Sequence, residues 1–214
     1  MLVRGRFNPV AITGDLQKAF LQVWLKETDR DAMRFHWRGD KQSKLESLRF
    51  TRTLFGLASS PFLLGGVIEM HLNHWEKKEP ELVAKIRKEP YVDDLISGST
   101  PVCKTRQLKN KTTAIFQDAC FNLYKWHSNV PELELEQSPQ EEGEPSCTKQ
   151  QLAVPEGTFF SMLGLPWNKQ QDSLSIPVPP EKATLSKRGI LAKLVKIYDP
   201  LGLVSHEKLR IEIM

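Results

Sequence analysis

The chain has 214 residues, 40% hydrophobic and 26% charged, a balance that describes a packed globular protein and excludes a disordered or fibrous one. No stretch of about 18 apolar residues occurs, so neither a membrane-spanning helix nor a membrane partner is expected. The start, Met1-Leu2-Val3-Arg4-Gly5-Arg6, lacks the apolar core of a secretory leader; the expected location is intracellular, cytoplasmic or nuclear. Cys103, Cys120 and Cys147 are too few and too far apart for a disulfide framework or a Cys-x-x-Cys zinc site, and fit a reducing compartment. The formal charge is +4, yet residues 131–148 hold six glutamates and no Lys or Arg; removing those six negative charges leaves +10 on the rest. On charge alone, a polyanion partner and plain solubility are equally served.

In chain order, Val10-Ala11-Ile12-Thr13 is a β-prone apolar run ending at Gly14-Asp15, which predicts a buried strand presenting a carboxylate at its end. Residues Leu16 to Leu25 begin as a helical turn. Arg34-Phe35-His36-Trp37 and Leu48-Arg49-Phe50-Thr51 predict two strands around the polar segment Arg38–Ser47. Ser59-Ser60-Pro61 is a helix start, with a serine cap and proline at the first helical position. Leu64, Val67, Ile68, His71, Leu72 and Trp75 then recur at helical spacing, and Gly65-Gly66 weakens that helix by about 1 kcal/mol per glycine.

Glu81–Lys88 is a short helix between Pro80 and Pro90, and Tyr91–Gly98 reads as strand, turn, strand with two acids at its tip. Lys104 to Ala119 is a further helix. The acidic, proline-containing stretch 131–157 is a loop or linker. Thr158–Leu165 and Leu174–Val178 predict a second hairpin, and Lys187–Tyr198 a helix stopped by Asp199-Pro200. The fold class expected is α+β, with a small antiparallel sheet that carries carboxylates on one edge and helices on its other face.

The acids Asp93-Asp94 serve either a solvated structural turn or a site. Asp15, at another strand end, favours the site: three carboxylates from separate strands are hard oxygen donors for Mg²⁺. Two such ions about 4 Å apart clamp the oxygens of an in-line phosphoryl displacement. His36 and His71 have no partners at ligand spacing. Trp126 and Trp167 read as core.

Gly14-Asp15-Leu16-Gln17-Lys18-Ala19-Phe20, Phe55-Gly56-Leu57-Ala58-Ser59-Ser60-Pro61 and Tyr91-Val92-Asp93-Asp94 stand in the order and spacing of reverse transcriptase palm motifs. Lys125-Trp126-His127-Ser128-Asn129, Met162-Leu163-Gly164-Leu165-Pro166-Trp167 and Tyr198-Asp199-Pro200-Leu201-Gly202-Leu203 narrow the likeness: the chain resembles the BEL/Pao class of LTR retrotransposon polyproteins along nearly its whole length. The resemblance implies an RNA-directed DNA polymerase in which Asp15, Asp93 and Asp94 hold two Mg²⁺ ions, with Mn²⁺ as a substitute. It implies that Phe20 excludes the sugar 2′-hydroxyl, although a core aromatic following a strand serves that position as well, and that Gly56, Ser60 and Pro61 pack against nucleotide and template. It further gives Tyr91 and Val92 the primer end and Leu163-Gly164 a primer-grip hairpin. Lys125 is the candidate general acid for the leaving pyrophosphate, although a solvated surface lysine serves that position as well. The implied partners are a primer–template of RNA and DNA, deoxynucleoside triphosphates, and the remainder of a polyprotein.

On this reading residues 1–130 are the palm, 131–157 an acidic loop or linker, and 158–214 a primer-grip-like hairpin with the start of a thumb or connection. His206 stands where the family has proline, and Gly65-Gly66 where it has bulkier residues. The fingers, RNase H and integrase of such polyproteins are expected outside these residues, so the chain alone is expected to bind nucleic acid without processive synthesis. No Asp-Thr-Gly or Asp-Ser-Gly triplet occurs, which removes an aspartic protease. The alternative expectation is a truncated, inactive element remnant that at most binds nucleic acid.

Overall fold

The computed structural model describes residues 2–134, 160–180, 184 and 186–203. Cys147, His206, the expected strand start at Thr158 and most of the acidic stretch lie outside them. The chain divides into two compact units, residues 1–136 and 137–214. The architecture is α+β with antiparallel sheets, and no described helix is long and apolar enough to cross a membrane.

In the first unit a short helix α1 (Leu2–Gly5) precedes β1 (Val10–Leu16), and a single turn α2 (Ala19–Gln22) follows it. The helical turn expected to open the Leu16–Leu25 segment starts at Ala19, because Leu16 still belongs to the strand and Lys18 is left-handed, φ 52°. The ribbon β2 (Arg34–Trp37) and β3 (Glu46–Arg49) forms where expected, its second strand beginning two residues earlier. Helices α3 (Ser60–Trp75) and α4 (Pro80–Ile86) lead into β4 (Pro90–Tyr91) and β5 (Asp94–Ser99). Helix α5 (Val102–Asp118) and β6 (Leu123–Ser128) complete the unit.

The main sheet runs β4-β5-β1-β6, all antiparallel. Within this sheet, strand β6 was not announced by sequence periodicity. Its pairing with β1 shifts register between Thr13 and Asp15, and Lys125 within it takes φ 49°. The irregularity breaks the two-residue alternation by which a strand is recognised.

Alternation along β1 turns Val10, Ile12 and Leu16 into the core shared with Leu64, Ile68, Leu72, Ile115 and Phe116 of α3 and α5. A Cβ added to Gly14 would meet the Trp126 ring at 3.0 Å, so glycine is what lets the indole cover the strand there. Trp126 is core, as is Trp167 in the second unit. Helix α3 starts at Ser60 as expected, but Ser59 makes no side-chain cap; the buried Ser60 hydroxyl donates instead to the Leu54 carbonyl at 2.6 Å. His71 donates from Nε2 to the Ile115 carbonyl at 2.7 Å, a packing role. Pro131–Leu133 forms a 3₁₀ turn whose buried Leu133 carbonyl accepts from the buried Lys109 amine at 2.6 Å.

In the second unit, β7 (Phe160–Met162), β8 (Leu165–Asn168) and β9 (Ser173–Leu174) form a three-stranded meander, followed by α6 (Lys187–Val195). The expected pairing of Thr158–Leu165 directly with Leu174–Val178 is corrected: β8 lies between them. Pro166 disguised it, since proline cannot donate in a central strand. Pro166 still accepts, from Ser175 N–H at 3.0 Å. Helix α6 is capped by the Ser186 hydroxyl, which accepts from Gly189 N–H at 3.1 Å.

Candidate carboxylate site

Asp15 ends the buried run of β1 and Asp94 begins β5, and the register sets them directly opposite each other. Opposite residues in an antiparallel pair share a face. That face is the one away from Ile12 and Leu95, which turn into the core. Asp93 occupies the two-residue turn between β4 and β5, and its carbonyl accepts from Leu16 N–H at 2.9 Å, tying the turn to the end of β1. Val92, the other turn residue, takes φ 59°, a left-handed conformation that a β-branched side chain rarely adopts. Hairpin turns of this length ordinarily use glycine or asparagine there.

Burial pushes the Asp94 carboxyl up to about 6, and the charges of Asp93 and Asp15 add to the rise. Asp15 is also raised, by burial first and then by Asp93, against a hydrogen bond donated by Tyr124 and the positive charge of Lys125. The three acids therefore act on one another electrostatically, and Lys125 acts on Asp15. Tyr124 was not legible as a site residue because β6 was not; its register opposite Asp15 places it there. Lys125 is exposed, its amine 4.6 Å from the Tyr124 ring centre. Among the described residues no group of three acidic, histidine or cysteine side chains is arranged to hold a metal ion as it stands.

The other expected residues fall into three places. Phe20 is 5% exposed and meets Phe55 edge to face, ring centres 4.8 Å apart, which joins the first motif to the residue before Gly56. Gly56 has φ 83° and open space where a Cβ would stand, so backbone conformation rather than crowding demands glycine. Pro61 and Val92 line one cavity of about 210 Å³, floored by Ile68 and Leu72 and bordered by the ion pair of Arg87 with Glu69 at 2.9 Å. Tyr91 is exposed and Ser60 buried.

Leu163 and Gly164 form the turn of the β7–β8 hairpin, in the second unit. Both are left-handed, φ 49° and 81°, and a Cβ on Gly164 would meet the Tyr198 ring at 3.0 Å. Neither a family model nor a curated protein sequence matches the chain.

Proposed function

We propose that the first unit is the palm of an RNA-directed DNA polymerase of the retrotransposon type, a nucleotidyltransferase that extends a primer 3′-hydroxyl along a template. The observation that carries this reading is the register of Asp15 opposite Asp94, with Asp93 on the adjoining turn. A structural turn needs one aspartate at most. Three acids held within each other's field, two of them partly buried, destabilise a fold unless they serve something.

As hard oxygen donors they fit Mg²⁺ or Mn²⁺, whose positive charge would offset the burial, and the mutual repulsion that adds to it, raising Asp15 and Asp94. Asp15, Asp93 and Asp94 would hold the ions, which when bound neutralise phosphoryl oxygens and acidify the attacking hydroxyl.

The reaction joins the primer 3′-oxygen to the α-phosphorus, breaks the bond to the bridging oxygen of pyrophosphate, and releases the hydroxyl proton. Tyr124 orients Asp15 by its hydrogen bond. Lys125 is the candidate donor of the proton that the pyrophosphate takes up. Tyr91 and Val92 would support the primer end, and Gly56, Ser60 and Pro61 the nucleotide and template. Phe20, packed in the core against Phe55, would close off the space beside the sugar 2′ position. Leu163-Gly164 would serve as the primer grip of a thumb-like second unit. The partners proposed are primer–template, deoxynucleoside triphosphates and the rest of a polyprotein.

The test is Mn²⁺ titration by electron paramagnetic resonance, with primer–template and a deoxynucleoside triphosphate present. The chain should bind Mn²⁺, and Asp93→Asn should lose that binding while its primer–template affinity persists. If the parent binds no more Mn²⁺ than Asp93→Asn, the metal reading fails and a non-catalytic nucleic-acid binder remains.

A further inference from the structure

The β2–β3 ribbon contributes nothing to the carboxylate site, yet its composition is unusual. Pairing sets Arg34 and His36 with Arg49 and Ser47 on one face, and Phe35 and Trp37 with Leu48 and Glu46 on the other. Such alternation ordinarily places the apolar face on a core. Here Trp37 is 55% and Leu48 38% exposed, and Phe35 is the one strand residue that is half-buried.

The connecting turn carries Arg38, Lys41 and Lys44, all exposed. Its one acid, Asp40, accepts from Gln42 and Ser43 N–H at 2.8 and 2.7 Å, which keeps that carboxylate in the turn's own service. At the ribbon's base Arg34 and Arg49 are tied to Asp31 at 3.0 and 2.9 Å. Just beyond it the Arg52 guanidinium lies 3.6 Å from the ring centre of Trp24, itself 64% exposed. Residues 34–52 hold six Lys or Arg against two acids, a net +4.

We propose that this ribbon is an auxiliary surface for single-stranded nucleic acid: a base stacks on Trp37 beside Leu48, and Arg38, Lys41 and Lys44 hold the flanking phosphates. Charge complementarity selects the occupant. A protein partner covering Trp37 and Leu48 would have to accommodate three adjacent cations, whereas a polynucleotide matches aromatic and cation together. Stacking on Trp37 needs an unpaired base, which disfavours a duplex. The partner class rests on the polymerase reading above, but none of that site's residues takes part.

Fluorescence anisotropy with a labelled, mixed-sequence oligonucleotide of about 15 nucleotides, from about 50 to 200 mM salt, tests the proposal. Trp37→Ala should weaken single-strand binding about tenfold, and Trp37→Phe should retain most of it. Replacing Arg38, Lys41 and Lys44 together by serine should flatten the log–log salt slope by about 2, each phosphate contact on a single strand contributing roughly 0.7. Circular dichroism confirms that the variants fold. Unchanged affinity and slope in both variants would overturn the proposal, as would a parent that prefers duplex of the same sequence.

Intact ribbon effects with no Mn²⁺ binding would remove the polymerase reading and keep the ribbon; Mn²⁺ binding with silent ribbon variants would do the reverse.

Discussion

The main sheet and the β2–β3 ribbon are both antiparallel pairs, yet they treat charge in opposite ways. On the sheet Asp15, Asp94 and Glu89 are all raised, with burial as the first cause. Around the ribbon Asp31 and Asp40 are lowered, the first by hydrogen bonds from Arg34 and Arg49, the second by Ser43 and the backbone of its turn. The sheet holds acids against their own solvation, which is what a cation site requires. The ribbon's turn keeps Arg38, Lys41 and Lys44 in water, where they cost the fold almost nothing and can meet a polyanion.

The largest expected effect tests the sheet's backbone. A Cβ on Gly98 would run into the Val10 carbonyl and lie 2.8 Å from the Asn8 Cβ. Backbone cannot give way while β1 and β5 pair, so Gly98→Val should destabilise by about 3 kcal/mol or more. On the ribbon turn, a Cβ at Gly39 finds nothing nearer than the Ser43 hydroxyl at 3.8 Å, so Gly39→Ala should stay within about 0.5 kcal/mol. Urea unfolding measures both; equal losses would break the comparison.

Glu89 sharpens it through pH. Burial raises its carboxyl from 4.5 to about 7, against a Ser97 hydroxyl donating at 2.5 Å and Lys85 at 4.0 Å. Its other oxygen, Oε2, is buried with no protein partner. A carboxyl whose folded value is raised contributes stability that is complete below its unfolded value and lost as pH rises through the folded one. The parent should therefore lose stability between about pH 4.5 and 7, on the order of 3 kcal/mol at most. Glu89→Gln should remove that decline. Asp31→Asn at the ribbon should act with the opposite sign, because Asp31 is lowered and its contribution fades as pH falls. Guanidinium midpoints across pH decide the matter; a parent slope retained in Glu89→Gln would refute it.

Asp94 carries the same sign with a smaller effect, because water still reaches it. After discounting for screening, Asp94→Asn should stabilise the metal-free chain at pH 8 by about 1 kcal/mol. The same change should abolish the Mn²⁺ binding proposed above. Gain of stability with loss of binding is the signature of a site that the fold sustains at its own expense. A destabilised Asp94→Asn would instead make Asp94 a structural residue.

Much of this was legible in the sequence, for identifiable reasons. Helices α3 and α5, the ribbon, and the hairpin that sets Asp93 in a turn announced themselves by spacing, by Pro61 and by flanking punctuation. Strand β6 did not, because Lys125 leaves the β region and breaks the alternation, and Tyr124 was lost with it. Strand β8 hid behind Pro166. Glu89 carried no local signal; its burial depends on Ser97, eight residues on, facing it across the β4–β5 hairpin. The carboxylates were visible as types in a pattern, whereas their elevated protonation depends on depth, which no local pattern encodes.

The smallest expected effect concerns Tyr124. Its hydroxyl is the main favourable contact of the Asp15 carboxylate, ahead of the Lys125 charge. On the ribbon, by contrast, Asp31 has two arginine donors, so losing one leaves another. Tyr124→Phe keeps the ring and removes one donor, and a hydrogen bond to a partly buried charge is worth about 1 kcal/mol net. The loss should appear in urea at pH 8, where Asp15 is ionised and needs the donor. It should shrink by pH 3, where the carboxyl is protonated and supplies its own hydrogen. Removing Arg34 should cost less than that at either pH, because water screens an exposed pair. If Tyr124→Phe were as stable as the parent at pH 8 and bound Mn²⁺ as tightly, Tyr124 would be packing alone, and the orientation of Asp15 would have to come from the β1–β5 register.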